Sequence, residues 1–429
     1  MALPLSGVRV LDLSNVLAGP FCAYQLALLG AEVIKVEHPE GGDLARRLGA
    51  DPQASARNMG TSFVAVNAGK QSLTLNLKEP RGKEILRQLV ANADVLVENF
   101  RPGVMTRLGL DYEQLKPFNP KLVYCAISGF GADGEFASRP AYDQIIQGIS
   151  GVMSVTGDAD SAPLRVGYPV SDTVGGLTAA FGICAALVDA RASGQGRMLD
   201  VSMLEATLST MGWVVSNYLN AGVTPTPMGN ENFTAAPSGT FRTGDGLLNI
   251  AANETKQFLN LCTLIGRADL PTDARFSERN ARKVNRAELK AEIEQALAAG
   301  SAAMWEEKFV AAGVPAGRVM SVPEILAHPH LATRNFVCEL PVELPAASSA
   351  ELLDRSLAEL PTEAPAKSPD EFTAALAPQR VTRAGFQISG GNTAPTTPAP
   401  ILSAHTRVHL AALGYTDEQI ETLRAEGVI

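Results

Sequence analysis

The sequence predicts an α/β protein: a parallel sheet flanked by helices, followed by a smaller α+β domain. Three observations carry this expectation. A β-branched run, VRVLDL (8–13), a glycine-closed helical stretch, FCAYQLALLG (21–30), and a second apolar run, AEVIKVE (31–37), form a βαβ unit. The alternation returns in QSLTLNL (71–77), a helix opened by Pro80 and running through KEILRQLVANA, then DVLVENF (94–100) and LVYCAISGF (122–130). Further on, SGTFRTGDGLLNIAAN (238–253) predicts a hairpin around Asp245 and Gly246, with helical patterns RAELKAEIEQALA and MWEEKFVAAG after it.

The remaining segments follow in order. Leu177 to Asp189 is rich in alanine and leucine and predicts a buried helix; SGQGR is a turn, and MLDVSMLEATLSTM resumes an apolar pattern. Between about 341 and 379 the chain turns rich in proline and alanine, which predicts an exposed, partly helical insertion or linker. The tail HTRVHLAALGYTDEQIETLRAEGVI is helical again and can dock onto the first domain. The expected divisions are 1–224, 225–335, a linker over 336–395 and a returning segment over 396–429.

Composition excludes several classes. The 429 residues, 46% hydrophobic and 19% charged, describe a globular chain of two or three domains. A formal charge of -9 without any dense Lys/Arg block speaks against nucleic acid. The start MALPLSGVRV lacks a basic, apolar leader, and no apolar run approaches about 18 residues, so no membrane and a cytoplasmic location are expected. Five scattered cysteines show no CxxC or ligand spacing, and His328 and His330 stand too close in sequence to share a helix face, so no metal is expected. The turn after the first strand is SNVLAGP rather than GxGxxG, which disfavours a nicotinamide dehydrogenase. No GxSxG elbow is present for a serine hydrolase, and none of the five histidines lies near Asp172 in the sequence.

The stretch VGYPVSDTVGG (166–176) places Asp172 ahead of a glycine pair and an apolar run. Read alone, Ser171 or Asp172 caps the helix. The alternative is a nucleophile, with free amides and flexible Gly175 and Gly176 admitting substrate and stabilising an oxyanion. The residues by themselves leave both open.

The ordered set PLSGVRVLDLSNVLAGP, GAEVIKVEHPEGGD, VENFRPGVMTRLGL, YCAISGFG, AYDQIIQGISGVMSVTG and GYPVSDTVGG resembles the class III CoA-transferase family over residues 4 to about 335, with a weaker return near 380–429. The resemblance implies a Rossmann-like large domain built from both chain ends, a small α+β domain between them, and two chains interlocked as rings in a homodimer. It implies coenzyme A as a substrate, no permanently bound cofactor, and an acyl-CoA and a small carboxylic acid as partners. Asp172 would be the catalytic nucleophile, passing through aspartyl anhydride and aspartyl-CoA intermediates.

Carried over by motif, the CoA contacts implied are Leu17, Ala18, His38, Leu75, Lys78, Asn99, Phe100, Arg101 and Arg107, with Tyr142 and Asp143 beside the thioester. Lysine and arginine at such positions are more often simply solvated, and Asp143 also suits the first turn of a helix. Departures matter too. The formyl-CoA:oxalate branch carries glutamine at Leu17 and arginine at His38, and a glycine run in the small domain that SGTFRTGDG lacks. The racemase branch has histidine where Tyr142 stands, and tyrosine, with a pKa near 10, is a poor substitute base. PVSDTVGGL, NYL and SGTFRTGDG look more like the branch acting on succinyl-CoA and dicarboxylic acids, for whose distal carboxylate Arg139, Arg165 or Arg242 are the candidate cations. A 2-methylacyl-CoA racemase and a non-catalytic CoA-binding protein are the alternatives.

Overall fold

Six parallel strands organise the first unit of the computed structural model, which describes residues 2–341 and 378–429. They are β1 (Arg9–Asp12), β2 (Glu32–Glu37), β3 (Lys70–Thr74), β4 (Val95–Glu98), β5 (Val123–Ser128) and β6 (Met198–Ser202). Their spatial order is β3-β2-β1-β4-β5-β6, every neighbouring pair parallel. That order reverses direction between β1 and β4, as in dinucleotide-binding α/β folds, where ligands settle in the crevice outside the strand ends at the reversal.

Alternation along each strand sends neighbours to opposite faces. Val10, Val33 and Val95 enter one buried layer with Leu26, Ile183 and Leu187 from the helices. Leu11, Ile34 and Leu96 enter the other, with Leu86 and Leu89. The C-terminal tail docks on this second layer: its helices Thr406–Ala412 and Asp417–Ala425 supply Leu410, Ile420 and Leu423, and the Asn76 N–H donates to the Val428 carbonyl at 2.8 Å. Each fully buried side chain of this kind stabilises the fold by about 1.5–3 kcal/mol.

Four helices position the site: α1 (Ala18–Leu28), α2 (Pro80–Val90), α3 (Asp143–Ile149) and α4 (Val170–Ser193). Pro80 opens α2 as expected, since its missing N–H costs nothing in the first turn. The α4 helix begins seven residues before the predicted start and is not buried all round. Ala179, Ile183 and Leu187 are buried, whereas Leu177, Phe181 and Val188 are 50, 78 and 72% exposed. Its alanine-rich composition hides this two-faced character. It is long and apolar enough to cross a membrane, but its buried face packs as a core helix of the α/β layer.

The first unit comprises Met1–Ser150, Val166–Val215 and Thr333–Ile429; the second comprises Gly151–Arg165 and Ser216–Ala332. In the second, β7 (Ser238–Arg242) and β8 (Leu247–Ala251) make the predicted hairpin, with β9 (Ala316–Arg318) antiparallel to β8. Phe241, Phe258, Ile293, Trp305 and Phe309 form its core. Strands β10 (Val337–Leu340) and β11 (Gln379–Thr382) pair antiparallel in the first unit. Most of the proline- and alanine-rich stretch between them lies outside the described residues.

Candidate active site

The loops that follow β1 and β4 flank the reversal point of the sheet. Loop 13–17 leaves β1 and enters α1; loop 99–103 leaves β4. Asn99 stitches the two together, accepting from the Asn15 N–H at 2.8 Å and donating its Nδ2 to the Asn15 carbonyl at 2.8 Å. Its neighbour Glu98, buried at the end of β4, accepts from the Phe100 N–H at 2.8 Å; burial pushes its carboxyl up to about 7.

Asp172 lies in the first turn of α4, half-buried. Neither Ser171 nor Asp172 acts as the cap: Pro169 holds that position, with no side-chain capping bond. The capping acceptor comes from another helix. Asp143, the first residue of α3, accepts from the Ser171 N–H at 2.8 Å. Its second oxygen accepts from Gln147 Nε2 at 2.7 Å, and Gln147 Oε1 accepts from the Val166 N–H at 2.8 Å. Gln147 is fully buried, and its Nε2 also reaches the Tyr168 carbonyl at 3.3 Å. Two side chains thus pin the backbone from Val166 to Ser171 immediately before Asp172.

This placement sets the electrostatics of Asp172. Burial, and then the nearby Asp143 carboxyl, push it up to about 7 from its ordinary value of 3.8. A carboxylate desolvated and beside a like charge is more basic than a solvated one, and therefore a stronger nucleophile when ionised.

The glycines do not play the part expected of them. Both Gly175 and Gly176 are buried inside α4 and belong to its hydrogen-bond ladder rather than offering open amides. A Cβ at Gly176 would lie 2.5 Å from the Ala18 carbonyl oxygen, and one at Gly175 would lie 2.9 Å from Met203 Cγ. They permit α1 and a neighbouring helix to approach, so the start of α1 lies alongside the start of α4. Asp172 stands one turn before Gly176 on the same face.

The remaining expected contacts are placed as follows. Leu17 is the N-cap residue of α1 and half-buried; Ala18 is its buried first residue. His38 is exposed after β2, with Nδ1 accepting from the Glu40 N–H at 3.1 Å. Lys78, Arg101 and Arg107 lie on loops and a short helix at the same edge of the sheet, and Phe100 is half-buried. Leu75 is 2% exposed within the core, which leaves only its backbone for a ligand. Tyr142, 68% exposed, caps α3 next to Asp143. Arg139 lies after β5, its charge shared with Glu135 at 3.7 Å, whereas Arg165 and Arg242 belong to the second unit, Arg242 beside Glu294 at 3.4 Å.

Sequence reasoning passed over Asp43 and Gln147. Asp43 follows the glycine pair of PEGGD, and Gln147 stands one helical turn after Asp143; each spacing is a signal only once its partner is known. Beneath loop 13–17 lies a buried ionic cluster of Asp12, Lys35, Asp43, Glu37, Arg46 and Lys70. Lys70 meets Asp12 at 2.8 Å and Lys35 meets Asp43 at 2.9 Å, while Arg46 clasps both oxygens of Glu37 at 2.7 Å. No group of three or more metal-ligating side chains occurs among the described residues.

A doubly wound parallel sheet thus carries a half-buried, basic carboxylate at a helix start and cations on the segments that follow its strands. The sequence model of CoA-transferase family III matches residues 5–371, and the chain belongs to that family. It is 38% identical over 347 residues to the succinate–glutarate CoA-transferase of Agrobacterium fabrum, covering 79% of this chain and 86% of that protein. It is 41% identical over 335 residues to the acetyl-CoA:oxalate CoA-transferase of Acetobacter aceti, covering 78% and 85%. Among solved structures it resembles a CAIB/BAIF family protein from Brucella suis, with a TM-score of 0.79, 32% identity, and 96% and 100% of the two chains covered.

Proposed function

We propose that this CoA-transferase moves CoA from an acyl-CoA, with succinyl-CoA as the first donor to test, to a small dicarboxylic acid, and that Asp172 carries the exchange. The observation that carries the reading is the position of Asp172: a half-buried carboxylate in the first turn of α4, made basic by burial and by Asp143.

In this reading the ionised Asp172 attacks the donor thioester carbonyl, the C–S bond breaks, and CoA leaves as thiolate while an acyl-aspartyl anhydride forms. The thiolate then attacks the Asp172 carbonyl carbon, releasing the donor acid as carboxylate and leaving aspartyl-CoA. The acceptor carboxylate displaces CoA from that thioester to make a new anhydride. The returning thiolate takes the acceptor acyl group and restores the Asp172 carboxylate. No proton is gained or lost overall, so the exchange needs no histidine.

The glutarate relative favours a dicarboxylate acceptor, and the oxalate relative puts the shortest dicarboxylate on the same panel despite Leu17 and His38. The exposed Leu177, Phe181 and Val188 of α4 favour a homodimer, since three large apolar side chains on one core helix are an unusual solvent face.

The test mixes the protein with succinyl-CoA and glutarate, oxalate, itaconate, malate or mesaconate, and identifies new thioesters by mass. New acyl-CoA in the wild type and none in Asp172→Asn supports the reading. Deuterium entering the α-position of a 2-methylacyl-CoA, with no transfer to any acid, replaces it with racemisation.

A further inference from the structure

Val16 has φ +67°, in the left-handed region. For a β-branched residue this is a costly backbone, sustained only where its surroundings over-determine it, and such strain gathers at functional sites. The surroundings here are unusually complete. The Ser14 N–H donates to Asp12 Oδ1 at 3.0 Å, and the Ser14 carbonyl accepts from Lys35 Nζ at 2.9 Å. Asn15 is held on both its amide and its carbonyl by Asn99. The Val16 N–H donates to Asp43 Oδ1 at 2.9 Å. Asp43 is in turn fixed by Lys35 at 2.9 Å and by the Ala45 N–H at 2.9 Å. Three successive backbone units are therefore gripped by buried or half-buried side chains that the proposed exchange does not use.

What this grip positions is the start of α1. Lys70, the cluster's other lysine, donates to the Pro20 carbonyl at 2.9 Å, and a Cβ at Gly19 would collide with Ser14 Cβ. The Ala18 carbonyl in turn abuts Gly176, one turn beyond Asp172. A chain that relaxed at Val16 to negative φ would redirect Leu17 and Ala18 and shift the start of α1 where it abuts Gly176, one turn beyond Asp172.

We infer that Asp43 and Asn99 are positioning residues: they force Val16 into the left-handed turn and so fix Leu17 and the start of α1 against the Asp172 end of α4. The inference rests on the reading of Asp172 as the nucleophile. It also gives Asn99, expected as a CoA contact, a second part, because both ends of its side-chain amide are engaged by Asn15.

The test is a rescue. Glycine adopts positive φ without strain, so Val16→Gly removes the need for the grip. We expect Asn99→Ala to slow acylation of Asp172 by succinyl-CoA by about tenfold or more, read as the rate of CoA adduct formation under single turnover. In the Val16→Gly background the same substitution costs about threefold or less, a non-additivity that neighbours sharing one strain produce. Asp43→Ser is expected to behave in the same way as Asn99→Ala. If Asn99→Ala does not fold, Asn99→Asp serves, because it keeps the acceptor for the Asn15 N–H and loses the donor to its carbonyl. Three results overturn the inference: a loss in Asn99→Ala that is equal in both backgrounds, a rise in KM alone, which marks a plain CoA contact, or a fall in melting temperature with acylation unchanged. Failure of the wild type to form any adduct sinks the reading of Asp172 itself, and is distinguishable from all three.

Discussion

The Ser171 N–H donates to the Asp143 carboxylate at 2.8 Å, so the residue next to Asp172 is held by an acid that, after burial, helps to push the Asp172 carboxyl up to about 7. Asp143 therefore bears on both the position and the basicity of Asp172. Removing the charge without removing the hydrogen bond separates them.

Asp143→Asn does this incompletely. If the new amide turns its oxygen to Ser171, its NH2 faces Gln147 Nε2, donor against donor, and a flip of Gln147 would present NH2 to the Val166 N–H. A buried pair left unsatisfied costs about 1–3 kcal/mol. The double variant Asp143→Asn with Gln147→Glu restores acceptors both to the introduced amide and to the Val166 N–H. Thermal unfolding is expected to show the single variant well below the wild type and the double variant recovering most of the difference.

The pH dependence of transfer follows from the same pair. If Asp172 is the nucleophile, the donor thioester must meet it ionised, so kcat/KM is expected to rise with pH through about 7, where burial and Asp143 place this carboxyl. In the Asp143→Asn, Gln147→Glu variant the acid moves one helical turn further along α3, and the limb shifts to lower pH. A limb that stays in place argues that burial alone sets the basicity.

Stability carries the opposite sign for two sets of carboxyls. The folded value of Asp172, about 7, lies above its ordinary 3.8, so its contribution is full below about pH 4 and is lost as pH rises through 7. Asp172→Asn is therefore expected to melt about 2–4 °C above the wild type at pH 8 and level with it near pH 4. Asp12 and Glu37 behave conversely. Burial would raise them, but Lys35 and Lys70 outweigh it for Asp12, and Arg46 for Glu37, and bring both down to about 2. Their contribution is present above about pH 4 and is lost as pH falls through 2, which predicts a steep acid unfolding limb in circular dichroism.

The glycine pair gives a graded test of packing. Gly176→Ala puts a methyl group against the fixed Ala18 carbonyl oxygen, whereas Gly175→Ala meets a movable methionine side chain. Overpacking against backbone costs about 1–3 kcal/mol. Denaturant unfolding is expected to show the larger loss at Gly176, accompanied by slower acylation, since α1 and the Asp172 end of α4 separate together.

Much of this architecture is legible in the chain itself. Strand runs such as VRVLDL and AEVIKVE are apolar on both faces because the sheet is covered on both, and this signal marks the βαβ units within a few residues of their ends. Asp172 is singled out only by the family resemblance of PVSDTVGG, since its local context suits a helix cap as well. The partners of that acid do not, because Gln147 and Asp43 act across space: nothing local distinguishes a glutamine that braces Val166 from one in solvent, or an aspartate that grips Val16 from a loop acid. The glycines mislead for a related reason. A sequence shows that a side chain is missing, but whether substrate or another helix fills the gap depends on which helices meet.

The sharpest measurement is intact-protein and peptide mass spectrometry after mixing the wild type with succinyl-CoA and no acceptor acid. If Asp172 is the nucleophile, a CoA adduct appears on the peptide bearing it, is cleaved by hydroxylamine and is absent from Asp172→Asn. A wild type that transfers CoA to an added acid without ever carrying the adduct, or an Asp172→Asn variant that still transfers it, would contradict this mechanism.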